Sequence, residues 1–287
     1  MEVRINEPMK RHTSFRAGGD AAWFVVPETV QELNAVLRAC KKADTPWYVV
    51  GNGSNLLVSD EGYSGVIIST AKFDKLEVEG TTVTAGAGVI LSRAAVQAYK
   101  SGLTGLEFAA GIPGSVGGAC VMNAGAYGSE MKNVLSSVTV LTKEGEVMEI
   151  PAEELELGYR TSVIPKAGYL VLEAKMELTP GNPEEIMALM DDLAFRRKDK
   201  QPLEFPSAGS TFKRPAGHFA GKLIEDAGLK GFAVGGACVS EKHAGFVVNK
   251  GGATASDIYS LCKAVEERVM EQFGVQLELE VKLLGTF

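Results

Sequence analysis

"FAAGIPGSVGGACVMNAGAYGS" runs from Phe108 to Ser129 without a charged residue, between Glu107 and Glu130. A bilayer-crossing helix needs roughly 20 predominantly apolar residues, so the stretch is long enough. Its composition is wrong for that role. Six glycines and Pro113 fall inside it, and Ile112 is its only leucine or isoleucine. Glycine costs about 1 kcal/mol against alanine in a helix, and interior proline about 3 kcal/mol. The stretch therefore predicts an irregular backbone that approaches another group closely. In Gly111-Ile112-Pro113-Gly114-Ser115-Val116-Gly117-Gly118 such a backbone exposes N–H groups, which are good donors to phosphate oxygens. A tight structural turn with no ligand accounts equally well for this segment taken alone.

Two more glycine loops lie upstream. "WYVVGNGSNLLVSD" (47–60) reads as a short apolar strand entering Gly51-Asn52-Gly53-Ser54-Asn55. "VTAGAGVILSRAAVQAYKSGLTGLE" (83–107) reads as a strand, Gly86 and Gly88, then a helix ending near Gly102. Three glycine loops, each after a strand, point to one ligand held by several stretches of main chain. Known phosphate fingerprints are absent: a dinucleotide pattern starting at Gly51 would need glycine where Leu56 stands, and no Gly-Lys-Ser/Thr occurs.

The remainder predicts an α+β protein. Residues 29–43 place Val30, Leu33, Leu37 and Cys40 on one helical face. Residues 76–86 and 138–150 read as hairpins turning at Gly80 and Gly145, and 169–178 alternates as a strand. "TPGNPEE" (179–185) is a Pro/Gly punctuation expected to divide the chain. Helices are expected over 183–199 and 255–273, the latter with Ile258, Leu261, Val265 and Val269 inward, and a strand over 277–285. The expected domains are 1–179, in two subdomains of about 1–70 and 71–179, and 180–287.

The 287 residues are 45% hydrophobic and 23% charged, values of a soluble globular protein. A net charge of −7 argues against a nucleic-acid footprint. No apolar leader follows Met1, and Cys40, Cys120, Cys238 and Cys262 are widely spaced, which predicts reduced thiols in the cytoplasm. No spacing of these cysteines with His12, His218 and His243 supports a metal site.

Four polar residues in three settings stand out. Arg160 sits in "LGYRTS", between hydroxyl-bearing neighbours. Ser210 sits in "SAGSTFKRP", ahead of Lys213 and Arg214. Glu278 and Glu280 share a face of "LELEVKLL", opposite Leu277, Leu279 and Val281. Each has a plainer reading as a solvated charge or turn residue, and no G-x-S-x-G elbow surrounds Ser210.

Seven blocks in order resemble the UDP-N-acetylenolpyruvoylglucosamine reductase (MurB) family. They are "TSFRAGGDA" (13–21), "GNGSNLLVSD" (51–60), "AGIPGSVGGACVMNAGAYG" (110–128), "GYRTS" (158–162), "SAGSTFKRP" (207–215), "AGKLIEDAGLKG" (220–231) and "KHAGFVVN" (242–249). The resemblance implies an FAD-binding domain of the PCMH/vanillyl-alcohol-oxidase type and a smaller C-terminal substrate domain. It implies the shorter form of the family, without the tyrosine-bearing loop. The implied reaction is NADPH-dependent reduction of UDP-N-acetylglucosamine enolpyruvate to UDP-N-acetylmuramate in cytoplasmic peptidoglycan biosynthesis. Hydride passes through FAD to the vinyl carbon, and Ser210 gives the proton.

By the same resemblance Arg160, Ser210 and Glu280 are catalytic. Gly51, Asn52, Gly53, Ser54, Asn55 and Leu56 form one cofactor wall. Gly111, Ile112, Pro113, Gly114, Ser115, Gly117, Gly118, Asn123, Ala124 and Gly125 form the other. Lys213, Arg214, Arg197 and His243 are expected at the UDP-sugar, and Lys213 or Arg214 is expected to ease proton loss from Ser210. The family usually has proline where Leu279 stands, which leaves Glu278 as the alternative if the register differs. Two other readings are a flavin oxidoreductase of the same superfamily acting on an alcohol or lactone, and a non-enzymatic binder of FAD or a sugar nucleotide.

Overall fold

A computed structural model describes residues 1–287. Helix Val30–Lys42 forms where the apolar period predicts it. Thr29 caps it by accepting the Glu32 amide at 3.2 Å, and Leu33, Val36, Leu37 and Cys40 are buried. Helix Ala255–Phe273 is held by a reciprocal Thr254/Asp257 capping box and stops at Gly274, where φ is +67°. Helices Leu91–Lys100 and Pro183–Lys200 also lie where expected. No helix is long and apolar enough to cross a membrane.

Both hairpins are present. Leu76–Glu79 pairs antiparallel with Thr82–Gly86, and Leu135–Leu141 with Val147–Pro151. They join strand Leu170–Glu177 in a five-stranded sheet ordered Val147–Pro151, Leu135–Leu141, Leu170–Glu177, Thr82–Gly86, Leu76–Glu79. A four-stranded sheet runs Glu2–Pro8, Asp20–Val26, Tyr63–Ser69, Trp47–Val50. Its last pair is parallel, with Trp47 opposite Val66.

The stretch 108–129 departs from the expected irregular backbone. It contains the seven-residue helix Val116–Met122, followed by the short strands Gly125–Ala126 and Ser129–Glu130. Packing outweighs propensity here. Val116, Gly117, Ala119 and Cys120 are buried, Ser115 caps the helix, and a Cβ on Gly117 would lie 2.9 Å from that of Ala87. Gly117 thus serves close helix approach.

Two compact units divide the chain: 1–4, 24–52 and 65–197 in the first, and 5–23, 53–64 and 198–287 in the second. The division expected at 179/180 differs from this. The Pro/Gly punctuation is sewn into the first unit, because Thr179–Pro180 pairs with Leu103–Thr104 and the Gly181 amide donates to the Gly102 carbonyl at 2.9 Å. Within the first unit, one core gathers Val83, Leu91, Met131, Leu155 and Met176, and another Leu33, Leu37, Ile68 and Leu141.

The second unit is built from three segments because their apolar residues share one core: Phe15 from the first, Leu57 from the second, and Phe212, Ile224, Leu261 and Val265 from the third. Its small sheet is ordered Ala233–Val234, Ala237–Val239, Val247–Asn249. The strand expected over 277–285 is only partly regular. Lys282–Leu284 pairs parallel with Leu56–Val58, while Leu279 makes a single antiparallel bridge with Phe212.

Candidate active site

In the first unit the two expected walls meet. The side chain of Asn52 donates to the Pro113 carbonyl, and a Cβ on Gly51 would overlap the Ser115 hydroxyl. Gly51, Asn52, Gly111, Pro113 and Gly118 are all exposed, so this is accessible main chain.

Not all of its donors are available as expected. The amides of Val116 and Gly117 donate to the carbonyls of Val89 and Ala87 at 2.8 and 2.9 Å, and that of Gly118 turns to Ser115 Oγ at 3.4 Å. Ile112 donates to Ala109 at 3.0 Å. The N–H groups of Gly111, Gly114 and Ser115 have no acceptor within the protein. A diphosphate suits that donor set, since main-chain N–H groups meet an anion without a lysine. The expected fit to an FAD diphosphate therefore rests on these three amides, of which that of Ser115 belongs to a residue only 2% exposed.

Arg197 lies at this wall. A Cβ on Gly111 would come 2.9 Å from Arg197 Cδ. Burial pushes the guanidinium pKa down, and Tyr127 partly opposes this. Tyr127 has φ +54°, a conformation its type does not announce in the sequence.

Arg160 occupies a turn closed by paired hydrogen bonds, Gly158 N–H to Thr161 at 3.2 Å and Thr161 N–H to Gly158 at 3.3 Å. Its φ is +54°. The guanidinium donates to the Gly125 carbonyl at 3.3 Å and lies 5.2 Å from the Tyr159 ring centroid. Asn123, expected at the cofactor, has a fully enclosed side chain that hydrogen-bonds only within the protein. A side chain so enclosed has no surface to offer a ligand. Ala124 is half-buried and follows it directly.

In the second unit Gly53 has φ +59°, and a Cβ there would overlap the His12 carbonyl. Ser54 and Asn55 are half-buried, while Leu56 is buried and begins the strand paired with Lys282–Leu284. The Asn55 side chain is spent on protein: it donates to the Glu280 carbonyl at 3.1 Å.

Ser210 is exposed and stands between Gly209, with φ +76°, and Thr211, which is 1% exposed. In the sequence Thr211 is marked only by its hydroxyl next to Ser210. Its amide donates to Gly245 at 2.9 Å, its hydroxyl accepts from Val247 at 2.9 Å, and its carbonyl accepts from Glu280 at 2.9 Å. Across the same bridge the Lys213 amide donates to Glu278 at 2.8 Å.

The side chains then separate the two glutamates. Glu278 is exposed and ion-paired with Lys213, whereas Glu280 is half-buried. Lys213 is thereby ion-paired, and Arg214 stacks over Phe219 with its guanidinium carbon 3.8 Å from the ring centroid. Each cation expected to assist Ser210 is engaged elsewhere, because an acid or an aromatic face lies within its reach. His243 accepts the Gly245 amide at Nδ1 (3.1 Å) and packs edge-on against Phe246. Burial lowers its pKa, so the neutral ring is favoured. No group of three or more His, Cys, Asp or Glu side chains is arranged to hold a metal ion.

Residues 21–151 match the family described as FAD binding domain, and residues 201–284 match UDP-N-acetylenolpyruvoylglucosamine reductase, C-terminal domain. The UDP-N-acetylenolpyruvoylglucosamine reductase of Agathobacter rectalis is 52% identical, across 98% of this chain and 94% of its own length. That of Lachnoclostridium phytofermentans is 53% identical, across 99% and 93%. The crystal structure of UDP-N-acetylenolpyruvylglucosamine reductase (MurB) from Thermus caldophilus superposes with a TM-score of 0.85 at 37% identity, covering 99% of this chain and 98% of that one.

Proposed function

The chain belongs to the UDP-N-acetylenolpyruvoylglucosamine reductase family of FAD-dependent oxidoreductases, and from that premise we propose that it reduces UDP-N-acetylglucosamine enolpyruvate to UDP-N-acetylmuramate with NADPH, in cytoplasmic peptidoglycan synthesis. FAD, when bound, supplies hydride transfer from NADPH to the terminal vinyl carbon.

The protein's part is binding and charge management. The amides of Gly111, Gly114 and Ser115 hold the cofactor diphosphate in the first unit, with Arg197 beside them. Hydride arrival at the vinyl carbon leaves negative charge delocalised from the adjacent carbon into its carboxylate. Arg160 meets that carboxylate with two parallel N–H donors. Ser210 gives its hydroxyl proton to the carbon bearing the carboxylate and recovers one from solvent. Glu280, protonated or acting through a water, supplies a further donor to the anion.

The observation that carries the assignment of roles is the hydrogen bond from the Glu280 amide to the Thr211 carbonyl at 2.9 Å. It holds the main chain of Glu280 against the residue next to Ser210, while Glu278 is ion-paired with Lys213.

The direct experiment is anaerobic. The yellow holoprotein should bleach with NADPH and regain its flavin absorbance on addition of UDP-N-acetylglucosamine enolpyruvate. Recovery with oxygen alone would instead place it among flavin oxidoreductases of other specificity, and a colourless protein that binds UDP-sugars would make it a binder.

A further inference from the structure

We propose that Asn123, seconded by Ser162, is a positioning residue for Arg160. The inference rests on the reading of Arg160 as the group that meets the substrate carboxylate.

Arg160 holds a left-handed backbone, φ +54°, at the turn position a glycine ordinarily takes. Such strain persists only where the surroundings over-determine it. The turn's own two hydrogen bonds, at 3.2 and 3.3 Å, are long. The surroundings supply the rest.

Asn123 Nδ2 donates to the Gly158 carbonyl at 3.0 Å, in the closing pair of the turn. The Ser162 hydroxyl, 1% exposed, donates to the Val121 carbonyl at 2.8 Å. The turn is therefore tied at both ends to the C-terminal end of helix Val116–Met122, which Asn123 caps in a left-handed conformation of its own, φ +41°.

The same amide also fixes the far end of the arginine. Its Nδ2 donates to Glu130 Oε2 at 2.9 Å and its Oδ1 accepts the Lys132 amide at 2.9 Å. Glu130 pairs with Gly125 in the two-stranded hairpin, and the Gly125 carbonyl is the acceptor for Arg160 Nη2 at 3.3 Å. One side chain thus anchors both the backbone that bears Arg160 and the hairpin that its guanidinium touches. Asn123 is 0% exposed. Burying a primary amide is costly unless its donors and acceptor are used, and here both N–H groups and the oxygen are used. An aliphatic residue would fill the space without linking the turn to the hairpin.

The test compares Asn123→Gly, which accepts a positive φ, with Arg160→Ala and the double variant, all as holoenzyme. Stopped-flow spectroscopy separates flavin reduction by NADPH from reoxidation by substrate. Calorimetry gives the affinity for UDP-N-acetylmuramate, and thermal melts report folding. Arg160→Ala should slow reoxidation about 10³-fold, the scale of losing one charge-stabilising group. Asn123→Gly should slow the same step about 10–100-fold, as expected for misplacing such a group by about 1 Å. Flavin reduction should stay within about 3-fold of wild type in both, and product affinity should weaken in the same order. Because Asn123 acts through Arg160, the double variant should match Arg160→Ala within about 3-fold, the non-additivity of coupled residues.

Reoxidation at the wild-type rate in Asn123→Gly, or fully additive losses in the double variant, overturns the inference while the role of Arg160 stands. Wild-type reoxidation in Arg160→Ala overturns that role instead. Should Asn123→Gly fail to fold, Ser162→Ala removes the other tether and carries the same expectation. An unslowed Ser162→Ala, or one additive with Arg160→Ala, then overturns the inference.

Discussion

Glu280 donates its main-chain N–H to the carbonyl of Thr211 at 2.9 Å, so its position is registered against the chain that carries Ser210. Asn55 adds a second restraint, donating to the Glu280 carbonyl at 3.1 Å. Two hydrogen bonds and the Phe212–Leu279 bridge thus hold the backbone around Leu279 without a proline there.

Glu280→Gln should lower turnover by about 10²-fold or more, the range for losing a proton-transfer or donor group. Glu278→Gln removes only an exposed partner of Lys213, and exposed pairs contribute about 0–1 kcal/mol, so turnover should stay within about 3-fold of wild type. Steady-state kinetics of the two variants decide the register. Equal losses would mean that Glu278 shares the role.

Gly53→Ala should destabilise the fold by about 2–4 kcal/mol, combining a left-handed alanine with an overlap on main chain that cannot move aside. At Gly80 φ is the same +59°, but nothing lies within 4 Å of a Cβ, so Gly80→Ala should cost only about 1–2 kcal/mol. Chemical denaturation separates the two. Equal costs would show that conformation, and not close approach, demands glycine at position 53.

Burial holds His243 below its ordinary pKa, so the unfolded chain binds a proton more readily than the folded one. By linkage its contribution is complete above about pH 6.5 and is lost as pH falls toward the folded value. His243→Asn keeps an acceptor for the Gly245 amide and removes the titration. Denaturation midpoints at pH 7 and pH 5 should fall less in the variant than in wild type. An unchanged slope would assign the pH dependence to other groups.

Burial pushes the thiols of Cys120 and Cys262 up to about 12. Both should resist thiol reagents in the native protein at neutral pH and react fully in denaturant, since the thiolate is the nucleophile. Rapid native labelling at either position, mapped by mass spectrometry, would contradict their burial.

Local signals in the sequence were sufficient for much of the fold. Helices Val30–Lys42 and Ala255–Phe273 each carry an apolar face and a threonine cap, and Gly80 and Gly145 mark turns that need positive φ. What was not legible depends on partners distant in the chain. The composition of 108–129 hides helix Val116–Met122, because its stability comes from contact with residues such as Ala87. The pairing of Lys282–Leu284 with Leu56–Val58, and the gathering of Phe15 and Leu57 into the core of the second unit, have no local signature.

At the site, the glycines and Ser210 could be picked out as types, but the use of each polar side chain could not. Asn55 and Asn123 look alike as loop residues among glycines. Both are spent holding other candidate residues in place, and only the geometry shows it.

If Ser210 serves the substrate and not the reductant, as proposed, the two half-reactions of Ser210→Ala diverge. With NADPH, flavin bleaching in anaerobic stopped flow should proceed at the wild-type rate. With UDP-N-acetylglucosamine enolpyruvate, recovery of the absorbance should slow by about 10³-fold, the scale of a lost proton donor. Equal slowing of both phases, or recovery at the wild-type rate, would rule out Ser210 as the proton donor to the substrate.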